Sequence, residues 1–260
     1  MRKIMIEFIK EIALEAGCTA LEEMKRLDAS RVHAKGTDKD MVTEVDRMIE
    51  DQLIAAIHAK FPEHDIYGEE TGRSGSGSEF CWIIDPIDGT TSYIHQTPYF
   101  SISIGLQQNG VNIAGAVCAP KLGELFWAEK GQGAFLNGER IRVSPRNVLG
   151  QSLVATGFAC IRAGWKENNL KYFSRIMPDI RDIRRCGSAA VDLAYVACGR
   201  YEGFWEMCLN IYDVAAGVLL VEEAGGIVTD MAGGKNFPAQ GIVASNGLIH
   251  DNFLSYFKEN

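Results

Sequence analysis

The chain has 260 residues, of which 47% are hydrophobic and 23% are charged, as in a globular protein built as one large domain or two closely packed subdomains. Its formal net charge of −8, without any block of Lys or Arg, gives no support to nucleic acid or an anionic membrane as a partner. The seven cysteines include no C-x-x-C pair, which argues against a disulfide framework or a zinc site. The apolar runs are shorter than a membrane span, and charges interrupt the N-terminal stretch, so we expect a cytoplasmic protein.

Two helices are predicted in the first sixty residues. Apolar side chains recur at four-residue spacing over residues 3–26, which indicates a helix with one buried face. A charged loop containing Lys35 follows. Thr43 and Asp46 then have the spacing of a capping box, which predicts the start of a second helix.

A short strand is predicted over residues 65–68, and it ends at two adjacent acids, Glu69 and Glu70. Neighbouring side chains of an extended chain point in different directions, so we expect at most one of these acids to face a site. Residues 72–78 are rich in glycine and serine, which predicts a flexible loop.

The chain changes character most sharply after residue 84. The run Phe80–Ile84 is aromatic and β-branched, as in a buried strand, and Asp85 and Asp88 follow at once. Pro86 removes a backbone donor, so we expect the chain to leave the sheet there. Two acids three residues apart on a rigid turn can share one hard cation through oxygen ligands.

The residues after Asp88 favour a tight turn into a helix. Gly89 permits the turn, and Thr90 or Thr91 has the side chain of a helix cap. Backbone N–H groups at the start of that helix suit an anion such as phosphate.

The next strands are predicted to form a largely antiparallel sheet, because they follow one another as hairpins with an Asn-Gly turn at residues 137–138. In the first of them Ser101 and Ser103 alternate with isoleucines, which predicts a strand with two different faces. The predicted strands cover residues 99–106, 111–119 and 124–129 and the hairpin 134–143.

Beyond residue 147 strands and helices alternate, which is typical of an α/β arrangement. We therefore expect an N-terminal α+β subdomain, residues 1–147, and a C-terminal α/β subdomain, residues 148–260, that share one interface. Strands are predicted over residues 152–156, 180–185, 201–206, 226–229 and 241–244, and helices over residues 166–176, 188–198, 212–224 and 247–258.

In this second half the polar residues of interest stand at element ends. Gly187, Ser188 and Ala189 open a helix, Glu206 ends a strand, and Asp213 lies in the first turn of another helix. Each alone is typical of a cap or a first-turn acid. Together with the acids of the first half and the predicted anion-binding N–H groups after Gly89, these residues indicate a multi-metal phosphoryl-transfer site.

In these motifs the sequence resembles the inositol monophosphatase family of lithium-sensitive, magnesium-dependent sugar phosphatases. The resemblance covers essentially the whole chain, with the motifs in the same order and at similar spacing. The motifs are Asp40–Asp46 with Lys35 upstream, Gly68–Glu70, Trp82–Thr91, Gly187–Ala190 and Asp213–Gly217.

The resemblance implies a layered α/β/α/β/α fold of the inositol monophosphatase and fructose-1,6-bisphosphatase type, usually as a homodimer. It implies two or three magnesium ions per site, the first held by Glu69, Asp85 and the carbonyl of Ile87. Asp85, Asp88 and Asp213 would hold the second, and Glu69 would reach a third through water.

The resemblance also implies the remaining roles. Glu69, with Thr90 oriented by Asp46, would activate the attacking water. The N–H groups of Gly89 and Thr90 would seat the phosphate, and Lys35 would lie near the metal site. The alcohol part of the substrate would be contacted by Asp88, Gly187, Ser188, Ala189, Glu206 and Asp213.

The function that follows is magnesium-dependent hydrolysis of a small phosphorylated polyol by metal-activated water, with inositol monophosphate as the first expectation. Fructose 1,6-bisphosphate, histidinol phosphate and 3′-phosphoadenosine 5′-phosphate are the alternatives within the family. A haloacid-dehalogenase phosphatase would instead have one residue between the two acids, and this chain has two. An inactive metabolite- or metal-binding regulator is the alternative that is not an enzyme, although every carboxylate of the motifs is present.

Overall fold

A computed structural model of the protein describes residues 2–28, 32–34, 41–75 and 77–258. Its described residues form two separate β-sheets of eight and five strands, besides a two-stranded ribbon, and helices lie on both faces of each larger sheet. None of the helices in these ranges is both long and apolar enough to cross a membrane.

The first half of the described chain supplies the eight-stranded sheet. Its spatial order is β10-β9-β8-β7-β6-β5-β3-β4, and all neighbours are antiparallel except β3 and β5. The elements are α1 (Arg2–Met24), β1 (Val32–Ala34), β2 (Met41–Thr43), α2 (Glu44–Lys60), β3 (Asp65–Gly68), β4 (Gly72–Ser74), β5 (Phe80–Asp88), α3 (Thr90–Ile94), β6 (Ser101–Gln108), β7 (Val111–Ala119), β8 (Glu124–Glu129), β9 (Gly133–Leu136) and β10 (Glu139–Ile141).

The second half supplies the five-stranded sheet, in the order β12-β11-β13-β15-β14. The first three of these strands are parallel, and β15 pairs antiparallel with both β13 and β14. The elements are β11 (Leu153–Thr156), α4 (Ala159–Arg162), α5 (Asn169–Ile176), β12 (Asp182–Arg184), α6 (Ala189–Ala197), β13 (Gly203–Glu206), α7 (Ile211–Glu223), β14 (Ile227–Thr229), β15 (Ile242–Ser245) and α8 (His250–Ser255).

Helices α6 and α7 form the layer between the two sheets. Gly105 and Gly115 of the first sheet allow α7 to approach closely, since a Cβ there would lie 3.0 Å and 3.1 Å from atoms of Ala215 and Ala216. Helices α1 and α2 cover the outer face of the first sheet, and α5 and α8 cover that of the second. The expected α/β/α/β/α layering is confirmed, and it places the start of α7 beside the end of β5.

Strand β5 does not end at Pro86, as the sequence suggested, but continues to Asp88. Its pairing with β6 is regular as far as Asp85 and Ser103, then shifts by one residue before Asp88 pairs with Ser101. A β-bulge therefore absorbs the proline, which cannot donate to the ladder. The bulge turns both acids toward the same end of the sheet.

One further local prediction was wrong for a tertiary reason. Residues Gly72–Ser74, expected in a flexible loop, pair with β3 as an edge strand. Ser101 and Ser103 lie on a face of β6 that α7 and α6 cover, and both serines are fully buried. The division into subdomains at residue 147 stays a prediction.

Candidate active site

A cleft of about 530 Å³ opens where the two sheets and the middle helix layer meet. Its walls come from the end of β5, the start of α3, the segment before α6 and the start of α7. Glu69, directly after β3, and Glu206, at the end of β13, also face it, whereas Asp46 does not line it. The predicted site residues that line the cleft are Glu69, Asp85, Ile87, Asp88, Gly89, Thr90, Gly187, Ser188, Ala189, Glu206 and Asp213.

Three carboxylates converge at the floor of the cleft. Oxygen atoms of Asp85, Asp88 and Asp213 lie within 4.8 Å of one another. Asp85 and Asp88 stand on the bulged end of β5, and Asp213 comes from the first turn of α7, so the two halves of the chain contribute to one cluster. Asp85 and Asp88 are buried and Asp213 is partly exposed.

The cluster is electrostatically unfavourable on its own. Burial raises the pKa of Asp85 well above its ordinary value, and repulsion from Glu69, Asp88 and Asp213 raises it further. Burial and the charge of Asp88 raise the pKa of Asp213 in the same way. Buried like charges of this kind need a counter-ion. A donor set made only of carboxylate oxygens fits a hard divalent cation such as magnesium.

Asp88 also ties the first sheet to helix α6. Its Oδ2 accepts hydrogen bonds from the Ser188 hydroxyl at 2.6 Å and from the Ala190 N–H at 2.7 Å. Burial raises the pKa of Asp88 from 3.8 to about 6, although these hydrogen bonds oppose the rise. Ser188 in turn caps α6 by accepting from Val191 N–H. The predicted cap therefore also orients an acid of the cluster.

Glu69 is placed by a residue that the sequence reasoning missed. Glu50, fully buried on α2, accepts hydrogen bonds from the N–H groups of Glu70 at 2.9 Å and Thr71 at 2.7 Å. These bonds hold the turn directly after Glu69, whose carboxylate hydrogen-bonds with Asp85. The only indication of Glu50 in the sequence is its position, because this acid stands where the helix pattern predicts an apolar residue.

Thr90 interacts with Asp46 instead of capping α3. Its Oγ1 lies 3.3 Å from Asp46 Oδ1 and 3.3 Å from the Ile87 carbonyl oxygen, and the cap position is taken by Gly89 without a side-chain bond. Thr43 and Asp46 form the predicted capping box of α2. Burial raises the pKa of Asp46 to about 7, and the charges of Glu69 and Glu70 contribute to the rise.

Gly89 cannot be replaced at the turn without strain. Its φ of 96° lies in the left-handed region, and a Cβ would approach the carbonyl oxygens of Tyr99 at 2.9 Å and Gly187 at 3.0 Å. The glycine therefore lets the start of α3 and the segment before α6 meet at the cleft.

The end of the cleft away from the cluster carries both signs of charge. Glu206, at the end of β13, accepts from Ala159 N–H at 3.1 Å, and burial raises its pKa to about 7. Arg162, Arg185 and the buried Asp192 also line this end, and none of the three was expected from the sequence. Only the folding of three separate segments brings them together. Lys35, expected near the metal site, lies outside the described residues.

These raised pKa values predict how stability depends on pH when no metal is present. The buried acids bind protons more tightly in the folded chain than in the unfolded one, with folded pKa values of about 6 for Asp88 and about 7 for Asp46 and Glu206. The free energy of unfolding should therefore fall as pH rises from about 4 to about 7 and stay low above that. Urea denaturation in a chelator at several pH values measures this. Added magnesium should remove the part of the loss that comes from the acids of the cluster, and stability that instead rises with pH would contradict the assignment.

Comparisons of the sequence and of the structure with known proteins lead to one family. The profile of the inositol monophosphatase family matches residues 1–260. The chain is 43% identical to a protein of Pseudomonas aeruginosa named Nus factor SuhB, over 93% of this chain and 91% of that protein. It is 37% identical to an inositol-1-monophosphatase of Mesorhizobium japonicum, over 99% and 97%. The solved inositol monophosphatase of Anabaena superposes with a TM-score of 0.88 at 39% identity, over 98% of this chain and 95% of that one.

Proposed function

The chain belongs to the inositol monophosphatase family, and from that membership we propose that it is a magnesium-dependent phosphomonoesterase acting on a small phosphorylated polyol, inositol monophosphate first among them. The observation that carries the proposal is the cluster of Asp85, Asp88 and Asp213 at the floor of the cleft. A buried acidic cluster repels the phosphate of a substrate unless cations offset it.

The proposed magnesium ligands are residues of the cluster and its neighbours. Glu69, Asp85 and the carbonyl of Ile87 would hold one ion, and Asp85, Asp88 and Asp213 would hold a second. Glu69 would also reach a third ion through water. When bound, magnesium supplies positive charge that lowers the pKa of water and offsets charge on the transferring phosphoryl group.

The protein side chains orient the attacking water and take up its proton. The Thr90 hydroxyl donates to Asp46 Oδ1, which leaves its oxygen lone pairs directed toward a water in the cleft. That water donates to Thr90 Oγ1 and to the Glu69 carboxylate, and Glu69 accepts the proton as the oxygen attacks phosphorus. The bond between phosphorus and the alcohol oxygen breaks, and the leaving alkoxide takes a proton from solvent water. The N–H groups of Gly89 and Thr90 hold the phosphate oxygens.

The alcohol part of the substrate extends from the cluster toward Glu206. We assign its contacts to Asp88, Gly187, Ser188, Ala189, Glu206 and Asp213, all of which line the cleft. Glu206 lies next to Gly157, where any Cβ would overlap its carboxylate, so the glycine leaves room for this acid to accept from a hydroxyl.

The test is a comparison of kcat/KM for phosphate release, with magnesium, from inositol monophosphate, fructose 1,6-bisphosphate, histidinol phosphate and 3′-phosphoadenosine 5′-phosphate. We expect the highest value for inositol monophosphate. A higher value for one of the other three would reassign the substrate within the proposal. An inactive regulator would release phosphate from none of them.

Direct attack by water predicts the stereochemical course. Asp85 and Asp88 are committed to cations, so neither is available as a nucleophile, and the reaction should invert the configuration at phosphorus. A chiral phosphate ester measures this. Net retention, or a phosphorylated Asp85 in an acid-quenched digest, would indicate the aspartyl-phosphate route of the haloacid-dehalogenase phosphatases.

Lithium inhibition is a further expectation. Lithium is expected to replace one magnesium ion and to hold the product phosphate in the cleft, which lowers kcat. Phosphate release at increasing lithium concentration measures the effect, with the same concentrations of potassium as the control. Unchanged activity in the millimolar range would place the chain in a less sensitive branch of the family.

Three expectations about partners and location belong to the same proposal. We propose a homodimer in the cytoplasm that binds a phosphorylated small molecule and no nucleic acid or membrane. The absence of a nucleic-acid partner is a prediction from charge alone. It needs a test, since the relative at 43% identity is named a Nus factor. Electrophoretic mobility of RNA at physiological salt would test it.

A further inference from the structure

A second depression lies at the edge of the five-stranded sheet and shares no lining residue with the cleft. It has a volume of about 270 Å³, and strand β12 forms part of its wall. Four arginines and two acids supply its charged groups, in a chain whose net charge is −8. These groups, the arginine pocket, are Arg146, Arg181, Arg184, Arg200, Asp182 and Glu202.

One arginine of the pocket is anchored by a buried acid. Glu202 is 1% exposed, and its two carboxylate oxygens accept from the Arg146 guanidinium at 3.0 Å and from the Leu153 N–H at 2.7 Å. Because both Glu202 oxygens are engaged within the protein, this acid does little to repel an anion. Arg146 uses Nη1 for this contact, and the side chain is half exposed, so its other N–H groups can serve a ligand.

Two more arginines are paired with acids that are more exposed than Glu202. Arg200 contacts Glu124 through Nη2 at 2.6 Å and stacks on the Tyr195 ring at 4.5 Å. Arg184 uses Nη1 for both the Asp182 carboxylate at 2.6 Å and the Ile183 carbonyl at 2.8 Å. Fixed guanidinium groups lose less conformational entropy when a ligand binds.

Arg181 completes the pocket without such an anchor. Its backbone N–H donates to Ser152, but its side chain makes no hydrogen bond or ion pair with any residue in the ranges the structure describes. An unpaired guanidinium beside three anchored ones is a suitable fourth group for an anion, since planar N–H pairs match phosphate and carboxylate oxygens.

We propose that the arginine pocket binds a phosphoryl group, either as inorganic phosphate or on a small organic molecule, separately from the cleft. Three of the four guanidinium groups are paired with the carboxylates of Glu202, Asp182 and Glu124, so the pocket keeps one uncompensated positive charge, that of Arg181, for an anion. This site does not depend on the proposed hydrolysis.

The test measures the reactivity of each arginine in the intact chain with magnesium present. Phenylglyoxal modifies accessible guanidinium groups, and mass spectrometry of the digest gives a rate for each site. Millimolar phosphate should slow modification of Arg181 and Arg184 severalfold relative to chloride at equal ionic strength. Arg175, exposed on α5, is the internal control and should not change. Omitting magnesium should abolish protection at the cleft residue Arg185 and preserve it at Arg181.

Two further arms identify the ligand and check the site. A phosphatase cannot hydrolyse phenylphosphonate. If this compound also protects Arg181 and Arg184, the pocket admits a phosphoryl group on an organic molecule. If only phosphate protects them, the ligand is the free ion. Arg181→Gln should raise the phosphate concentration that half-protects Arg184 about tenfold, the loss expected for one charge-assisted contact, and Arg175→Gln should not. Equal rates in phosphate and chloride at Arg181 and Arg184, or equal slowing at Arg175, would overturn the proposal.

Discussion

Replacing Asp85 with asparagine is expected to lower kcat for phosphate release by roughly a thousandfold or more, because several kcal/mol of transition-state charge stabilisation would depend on the cations that Asp85 is proposed to share. Asparagine keeps the size of the side chain and an oxygen that can accept from Ile87 N–H, as Asp85 Oδ1 does at 3.0 Å. The fold should therefore persist. Steady-state kinetics with magnesium and a thermal melt measure the two effects together.

The same substitution should make the metal-free chain more stable. It removes the buried charge of Asp85, which the neighbouring carboxylates repel, as the raised pKa of Asp85 indicates. The melting temperature in a chelator should therefore rise, and the further rise on adding magnesium should be smaller than in the unchanged protein. Asp51→Asn, at an exposed position on α2, is the matched control and should change neither quantity. Full turnover in Asp85→Asn would refute the assignment of the cluster.

Asp213→Asn is expected to cause a comparable loss of turnover from the other half of the chain. Asp213 joins the cluster from helix α7, and its Oδ2 also accepts from Asn210 N–H at 2.6 Å in a capping box. Asparagine retains an acceptor for that cap, so the loss should appear in kcat, while the metal-free chain should gain stability because repulsion within the cluster is relieved.

Asp213→Ala separates the two roles of this residue. It should be as inactive as Asp213→Asn and in addition less stable by about 1 kcal/mol, the usual loss when a helix cap is removed. Urea denaturation of both variants in a chelator measures the difference, although relief of repulsion within the cluster adds an equal gain to both. If Asp213→Asn retained normal kcat, helix α7 would have no part in the site.

The sequence predicted most elements of the fold because local pattern and tertiary position agree in them. Strands β7 and β8 have the predicted bounds, and the capping box at Thr43 and Asp46 is present. The acids at the end of β5 were recognisable because a buried strand changes to carboxylates within one residue. Their convergence with Asp213, 125 residues beyond Asp88, was expected from the family resemblance and not from local spacing.

The failures occurred where distant segments decide local structure. Pro86 stays in the sheet because a bulge accommodates it, and Thr90 turns from its helix to Asp46 because α2 lies beside it. In the sequence, nothing distinguishes Glu50, Asp192 and Arg185 from ordinary surface or helix residues. Their neighbours in the fold lie on other elements, which no local pattern reveals.

The cleft should hydrolyse a phosphomonoester only when its acids hold magnesium. The most direct measurement is phosphate release from inositol monophosphate by the metal-free chain as magnesium is added. We predict no release above background in a chelator and a saturable rise with magnesium. Release that is unchanged by chelation, or that is absent at saturating magnesium from this and the three alternative substrates, would contradict the account.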